Sequence, residues 1–132
     1  MAGEIILVVE DNEKNRVLFR DILQSKGYKT IEAETGEKAL VLLQKERPDL
    51  ILMDIQLPGK DGITITREIK ANAATKDIPV FALTSYAMKG DRERMMEAGF
   101  DGYMSKPIKV REFLKTVDDF FQSSLNGGEY GR

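Results

Sequence analysis

Short apolar runs alternate with longer segments of helical spacing along the whole chain. The clearest run is Ile5–Val9, five apolar residues that end at the polar group Glu10-Asp11-Asn12. An unbroken apolar run predicts a strand that is buried on both faces. The clearest helical segment is Val110–Phe121, whose apolar residues recur at steps of three and four. The alternation of these two patterns predicts an α/β protein.

Five strand and helix pairs follow one another. The predicted strands are Ile5–Val9, Lys29–Ala33, Leu50–Met53, Val80–Leu83 and Gly102–Ser105. The predicted helices are Glu13–Lys26, Glu37–Glu46, a segment carrying Ile65 and Ile69, a charged segment with Met95 and Met96 that ends at Gly99, and Val110–Phe121. Alternating elements of this kind need right-handed crossovers. We therefore predict a doubly wound five-stranded parallel sheet covered by helices on both faces.

The length of 132 residues predicts one domain. We expect residues 1–125 to form it and residues 126–132, which include three glycines, to be a flexible tail. Met1 and the short tail favour a stand-alone protein over a piece of a larger hybrid.

Composition excludes several kinds of chemistry. The chain has no Cys and no His, which removes thiolate or imidazole metal ligands and cysteine or histidine catalysis. A net charge of −2 argues against direct nucleic-acid binding. The longest apolar run is too short to span a bilayer, and the chain shows no signal-peptide pattern. We expect a cytoplasmic protein that does not associate with membranes.

Polar side chains follow the predicted strands where each strand ends. They are Glu10 and Asp11 after the first strand, Asp54 after the third, Thr84 and Ser85 after the fourth, and Lys106 after the fifth. The carboxyl ends of parallel strands meet at one edge of the sheet, where ligands bind. We therefore expect these groups to lie together.

Carboxylates brought close together repel one another, so such a site calls for a cation. Without His or Cys, hard oxygen ligands favour Mg²⁺, held here by Glu10 and Asp11. Asp54 could then act as a nucleophile toward phosphorus, with Lys106 and Thr84 contacting the phosphoryl oxygens.

Each of these residues also has a plain structural interpretation. Asp11-Asn12 could cap a helix, and Asp54 could belong to a turn. Thr84-Ser85 could cap the fourth helix, and Lys106-Pro107 could be an exposed extended dipeptide. The functional interpretation is favoured because independent caps would not place four complementary groups at one end of one sheet.

The order of the motifs resembles the receiver domain of two-component response regulators from Ile5 to Phe121. The matching segments are Val9–Asn12, Asp49–Asp54, Leu57-Pro58 with Asp61-Gly62, Leu83–Ser85 and Tyr103–Pro107. The resemblance implies a flavodoxin-like strand order of 2-1-3-4-5. Within the family, Glu10–Glu13 and Tyr86–Asp91 resemble the single-domain cell-cycle regulators of the DivK type.

The resemblance implies a site and a cofactor. Asp54 would accept a phosphoryl group, aided by Thr84 and Lys106. Mg²⁺, with Mn²⁺ as a substitute, would be bound by Glu10, Asp11, Asp54 and the backbone carbonyl of Gln56. The protein would not be a conventional enzyme, because it would catalyse its own phosphorylation and dephosphorylation.

The resemblance also implies roles for residues around this site. Thr84 and Tyr103 would form a switch, and Gln56, Ser85 and Tyr86 would tune hydrolysis, with Tyr86 shielding the acyl phosphate from water. Loop geometry would depend on Pro58, Gly62 and Pro107, and the Lys106-Pro107 bond would be cis. Two departures from the family pattern are Glu10, where many members have Asp, and Ser85, where Ala or Gly is more usual.

The implied partners are a histidine kinase or histidine phosphotransfer protein as donor, and a downstream protein that binds the fourth helix, fifth strand and fifth helix. The protein would be a monomer or a weak, phosphorylation-dependent dimer.

Rival functions fit less well. A flavodoxin-type protein would need a phosphate loop rich in Gly, Ser and Thr after the first strand, where Glu10-Asp11-Asn12 stands. A haloacid dehalogenase-type phosphatase would need an Asp at the position of Gln56. A P-loop NTPase is excluded because the glycine-lysine loop is absent. A receiver that binds partners without being phosphorylated is the remaining alternative.

Overall fold

Five parallel strands form one sheet in the order β2-β1-β3-β4-β5, which confirms the predicted order. The structure is a computed structural model and describes residues 3–85 and 89–125. The strands are β1 Ile5–Val9, β2 Lys29–Ala33, β3 Leu50–Asp54, β4 Val80–Thr84 and β5 Gly102–Ser105. The helices are α1 Glu13–Ser25, α2 Gly36–Leu42, α3 Gly62–Ala71, α4 Lys89–Ala98 and α5 Val110–Leu125.

The sheet separates two hydrophobic cores because side chains alternate between its faces. Leu7 and Val9 face one core, which α3 and α4 cover with residues such as Ile65. Ile6 and Val8 face the other core, where Phe19 of α1 stacks on Phe113 of α5 with ring centroids 5.5 Å apart. Strands β3 and β4 are buried along their whole length, as their apolar runs predict.

Element boundaries differ from the sequence prediction mainly in α2 and α5. Helix α2 ends at Leu42, whereas the spacing predicts Glu46. Its last residues form tight turns instead, in which the amide of Gln44 donates to the carbonyl of Val41. Helix α5 continues to Leu125, beyond the predicted end at Phe121. The predicted stop at Gly27 agrees with its positive φ of 90°.

Two predictions fall outside the described residues: the flexible tail at residues 126–132, and Tyr86. In the part of the chain that the structure covers, no helix has the length and apolar character needed to cross a membrane.

Candidate functional site

The register of the parallel strands brings the predicted site residues to one level of the sheet. Val9 of β1 pairs with Met53 of β3, so the residues that follow them, Glu10 and Asp54, are level. Thr84 of β4 pairs with Ser105 of β5, one residue before Lys106.

Three carboxylates meet at this edge. Glu10, Asp11 and Asp54 each offer an oxygen, and these oxygens lie within 4.8 Å of one another. Glu10 is 1% exposed and Asp54 is 2% exposed, whereas Asp11 is on the surface. The cluster therefore has two buried carboxylates with a solvent-facing one beside them.

Lys106 reaches this cluster from the end of the edge strand β5. Its Nζ lies 2.9 Å from Glu10 Oε1 and 3.1 Å from Asp54 Oδ2. The Lys106-Pro107 peptide is cis, as the resemblance implies. One ammonium group thus contacts both buried carboxylates.

The charges of the cluster are not balanced. Burial raises the pKa of Glu10, and the nearby charge of Asp54 raises it further, against the lowering effect of hydrogen bonds from Lys106 and the Asn12 amide. Burial opposes the charge on Lys106, but the hydrogen bond to Glu10 and the charge of Asp54 outweigh it, so the pKa of Lys106 is raised. The expected repulsion between carboxylates therefore contributes to the raised pKa of Glu10, but the largest cause of that rise is the loss of water on burial.

The loop after β1 begins α1 and shapes the acidic cluster. The side chain of Asn12 accepts a hydrogen bond from the amide of Asn15 and caps the helix. The amide of Asn12 donates to Glu10 Oε2 at 3.1 Å. Asn12 therefore has the capping role that the plain interpretation assigns to this segment, and Asp11 is left free to join the cluster.

The loop between β3 and α3 contacts both the side chain and the backbone of Asp54. Asp54 Oδ1 accepts a hydrogen bond from the amide of Gln56 at 3.0 Å. A Cβ on Gly62 would lie 2.2 Å from the carbonyl oxygen of Asp54, so only glycine permits this approach. Asp61 caps α3 by accepting from the amide of Thr64 at 2.8 Å. Pro58 lies exposed in this loop.

The other predicted residues lie around the cluster. Thr84 is buried at the end of β4 and lines a cleft of about 350 Å³ with Gln56 and Arg94. The hydroxyl of Ser85 lies 3.3 Å from the Gln56 side-chain oxygen. Tyr103 is half-buried on β5 and lines a different cleft, toward α5. The structure therefore brings Glu10, Asp11, Asp54 and Lys106 together, with Thr84 and Ser85 beside them and Tyr103 farther along β5.

The donor set fits a hard divalent cation. It consists of carboxylate oxygens, which Mg²⁺ and Mn²⁺ prefer, in a chain without His or Cys. Three carboxylates face the single ammonium group of Lys106, so the cluster has room for the charge of a cation.

The family model of the response regulator receiver domain matches residues 6–118. The chain belongs to this family. Its similarity to the polar-differentiation response regulator DivK of Brucella anthropi is 47% identity over 115 residues, covering 87% of this chain and 94% of that protein.

Solved receiver structures share this fold, and two of them contain a metal ion. The receiver domain of the sensor histidine kinase PA1611 of Pseudomonas aeruginosa PAO1 is 38% identical, with a TM-score of 0.84 over 92% of this chain and 100% of that one. That structure has a magnesium ion coordinated in its active-site cleft. The response regulator Rcp1, 31% identical with a TM-score of 0.76 over 92% of this chain and 93% of that one, was crystallised in a Mn²⁺-bound form.

Two residues near this receiver site escaped the sequence analysis. Arg16 contacts the backbone of the acidic loop. Leu18 is 44% exposed, although it stands four residues before the buried Ile22, a spacing that places two residues on one helix face. Leu18 borders a cleft with Ser85 and Lys106. The sequence signal for the exposure of Leu18 was its neighbour Phe19, since two adjacent helical positions do not face the same core.

Proposed function

We propose that Asp54 accepts a phosphoryl group from a phosphohistidine on a histidine kinase or phosphotransfer protein and later loses it to water. Glu10, Asp11, Asp54 and the backbone carbonyl of Gln56 would hold the Mg²⁺ that this reaction uses. The observation that carries the proposal is the contact of Asp54 with Lys106 beside two further carboxylates.

Asp54 is oriented for this role by contacts to each of its side-chain oxygens. The Gln56 amide donates to Oδ1, and Lys106 contacts Oδ2. Attack by one oxygen forms a P–O bond as the P–N bond to the donor breaks, and the imidazole leaves with a proton on its ring. Bound Mg²⁺ supplies positive charge at the phosphoryl oxygens. Lys106 adds a second positive charge, and its raised pKa keeps it protonated at neutral pH.

Thr84 and Tyr103 are the proposed switch. Thr84 ends the strand next to Asp54 and would donate its hydroxyl proton to a phosphoryl oxygen, while Tyr103 would turn inward. Tyr103 lies on β5, and the helices before and after this strand each carry an exposed apolar side chain, Met96 on α4 at 57% and Val110 on α5 at 49%. These exposed apolar residues support the α4, β5 and α5 surface as the contact for a downstream partner.

Gln56, Ser85 and Tyr86 are the proposed determinants of phosphoryl-group lifetime. The Ser85 and Gln56 side chains lie together at the edge of the cleft, which supports a joint effect on water access. We expect Tyr86→Ala to speed the loss of the phosphoryl group, measured by following the phosphorylated protein over time. An unchanged rate would remove Tyr86 from this role.

The similarity to DivK supports a role in the control of polar differentiation, exercised through protein contacts. Residues 1–125 as the receiver domain, a monomer or weak phosphorylation-dependent dimer, and a cytoplasmic location remain predictions.

Phosphorylation by a small phosphodonor tests the proposal. The full chain is incubated with acetyl phosphate and Mg²⁺, and its intact mass is measured beside Asp54→Asn and the surface control Asp21→Asn. We expect one phosphoryl group on the parent and on Asp21→Asn, and none on Asp54→Asn. An adduct on Asp54→Asn would place the acceptor elsewhere, and no adduct on any of the three would favour a receiver that works without phosphorylation.

A further inference from the structure

Arg16 of α1 contacts the backbone of the acidic loop rather than its side chains. Its Nη1 donates to the carbonyl oxygen of Glu10 at 2.9 Å and to that of Asp11 at 3.1 Å. The side chain is 13% exposed, so it is held against the protein. Arg16 therefore binds the two residues that begin the proposed metal site.

The peptide unit between Asp11 and Asn12 is held at both of its ends. In a trans peptide the C=O and N–H groups point in opposite directions. Arg16 donates to the carbonyl of Asp11, and the amide of Asn12 donates to the carboxylate of Glu10 at 3.1 Å. Contacts on both sides fix the rotation of this peptide. The direction of the Asp11 Cα–Cβ bond, which leaves the backbone next to this peptide, is fixed as a result.

The positive charge of Arg16 is paired with a carboxylate that lies outside the metal site. Its Nε lies 3.6 Å from Glu32 on β2, and Glu32 also accepts a hydrogen bond from Arg20 at 3.2 Å. Lys106 differs, because its ammonium group contacts the site carboxylates themselves. Arg16 can therefore hold the loop while its pairing with Glu32 reduces the repulsion between its positive charge and a bound cation.

We propose that Arg16 is a positioning residue for the metal site, which fixes Asp11 in its cation-binding position before the cation arrives. This inference rests on the proposed function. Fixing a ligand beforehand raises affinity because less conformational freedom is lost on binding. Arginine suits the role because its guanidinium can donate to the loop and to Glu32 at once, whereas lysine has a single nitrogen.

Magnesium affinity of the full chain, measured by calorimetric titration of metal-free protein, tests the proposal. Arg16→Met removes the contacts with the loop. Arg20→Met is the matched control, because it removes a contact with Glu32 while the contacts between Arg16 and the loop stay in place. We expect Arg16→Met to bind Mg²⁺ about tenfold more weakly, as for other residues that orient metal ligands. Arg20→Met should bind like the parent. The backbone amide resonance of Asn12 should move in Arg16→Met alone.

Parental Mg²⁺ affinity in Arg16→Met would overturn the proposal, even if its melting temperature fell. So would an equal weakening in Arg16→Met and Arg20→Met. If Arg16→Met does not fold, Arg16→Lys replaces it, with weakened affinity supporting the proposal and parental affinity overturning it. A parent that binds Mg²⁺ more tightly than Arg16→Met but takes no phosphoryl group would contradict the role of Asp54 and leave that of Arg16 supported.

Discussion

The two ends of the sheet use the same residue type for opposite purposes. At the amino ends of the strands, Asp49 accepts a hydrogen bond from the amide of Ile5 at 2.8 Å. Asp101 accepts one from the amide of Val80 at 2.8 Å and one from Lys70 at 2.9 Å. Each carboxylate comes just before a strand and satisfies the first amide of another strand. These charges are partly hydrated and have donors, so they stabilise the fold.

At the carboxyl ends, Glu10 and Asp54 are buried side by side, with Lys106 shared between them. Here the pKa of Glu10 is raised, which means that its charged form is disfavoured in the folded protein. Carboxylates at both edges accept hydrogen bonds from backbone amides, so the difference lies in hydration: an exposed carboxylate with such a donor stabilises a strand end. Where it meets another carboxylate in a dry site, it costs stability and creates affinity for a cation.

The largest effect is expected at Gly62, which packs against the backbone of Asp54. In Gly62→Ala the new Cβ would meet the Asp54 carbonyl oxygen at 2.2 Å, and backbone cannot move aside as a flexible side chain can. We expect a loss of about 3 kcal/mol in the free energy of unfolding, typical of severe overpacking. Urea denaturation measures it. A variant as stable as the parent would show that the carboxyl edge has room to shift.

Asp101→Ala should give the next largest loss, at the amino edge. It leaves the Val80 amide without its acceptor and Lys70 without its carboxylate partner. We expect a loss of about 2 kcal/mol by urea denaturation. The control is Asp119→Ala, whose exposed pair with Lys115 should be worth less than about 0.5 kcal/mol. Equal losses in both variants would contradict a stabilising role for Asp101.

Glu10→Gln should have the opposite sign at the carboxyl edge. Because the folded pKa of Glu10 is raised, its contribution is most favourable below the ordinary value of 4.5 and is lost as pH rises through the folded pKa. In a chelator at neutral pH we expect Glu10→Gln to be more stable than the parent, because the uncharged amide avoids the cost of a buried charge. The stabilisation by added Mg²⁺ should shrink. A less stable variant would show that the hydrogen bond with Lys106 outweighs the cost of burial.

Tyr28→Phe should give the smallest effect. The hydroxyl of Tyr28, just before β2, donates to Asp118 of α5, and burial together with this contact raises the pKa of Tyr28 above its ordinary 10.0. The stability that this bond contributes is present below pH 10.0 and is lost as pH rises through the folded pKa. We expect a loss of about 1 kcal/mol at neutral pH. The gap between variant and parent should narrow in alkaline solution, as followed by thermal melts. A constant gap would assign the effect to packing.

Much of this arrangement could be predicted from the chain. The meeting of Glu10, Asp54 and Lys106 follows from one rule, that parallel strands end at the same edge, together with a polar residue after each apolar run. The end of α2 could not be predicted, because the spacing continues while the chain must turn toward β3. Arg16 was missed because its partners are backbone carbonyls, whose direction depends on peptide rotation rather than on residue type.

The loop after β1 is connected to both outer strands of the sheet. Arg16 joins it to Glu32 of β2, and Lys106 joins it to the end of β5. A partner protein that binds either outer strand more tightly when the cation is present must, by thermodynamic reciprocity, raise the cation affinity by the same factor. Partner occupancy at the outer strands and ion occupancy at the centre then become a single coupled equilibrium.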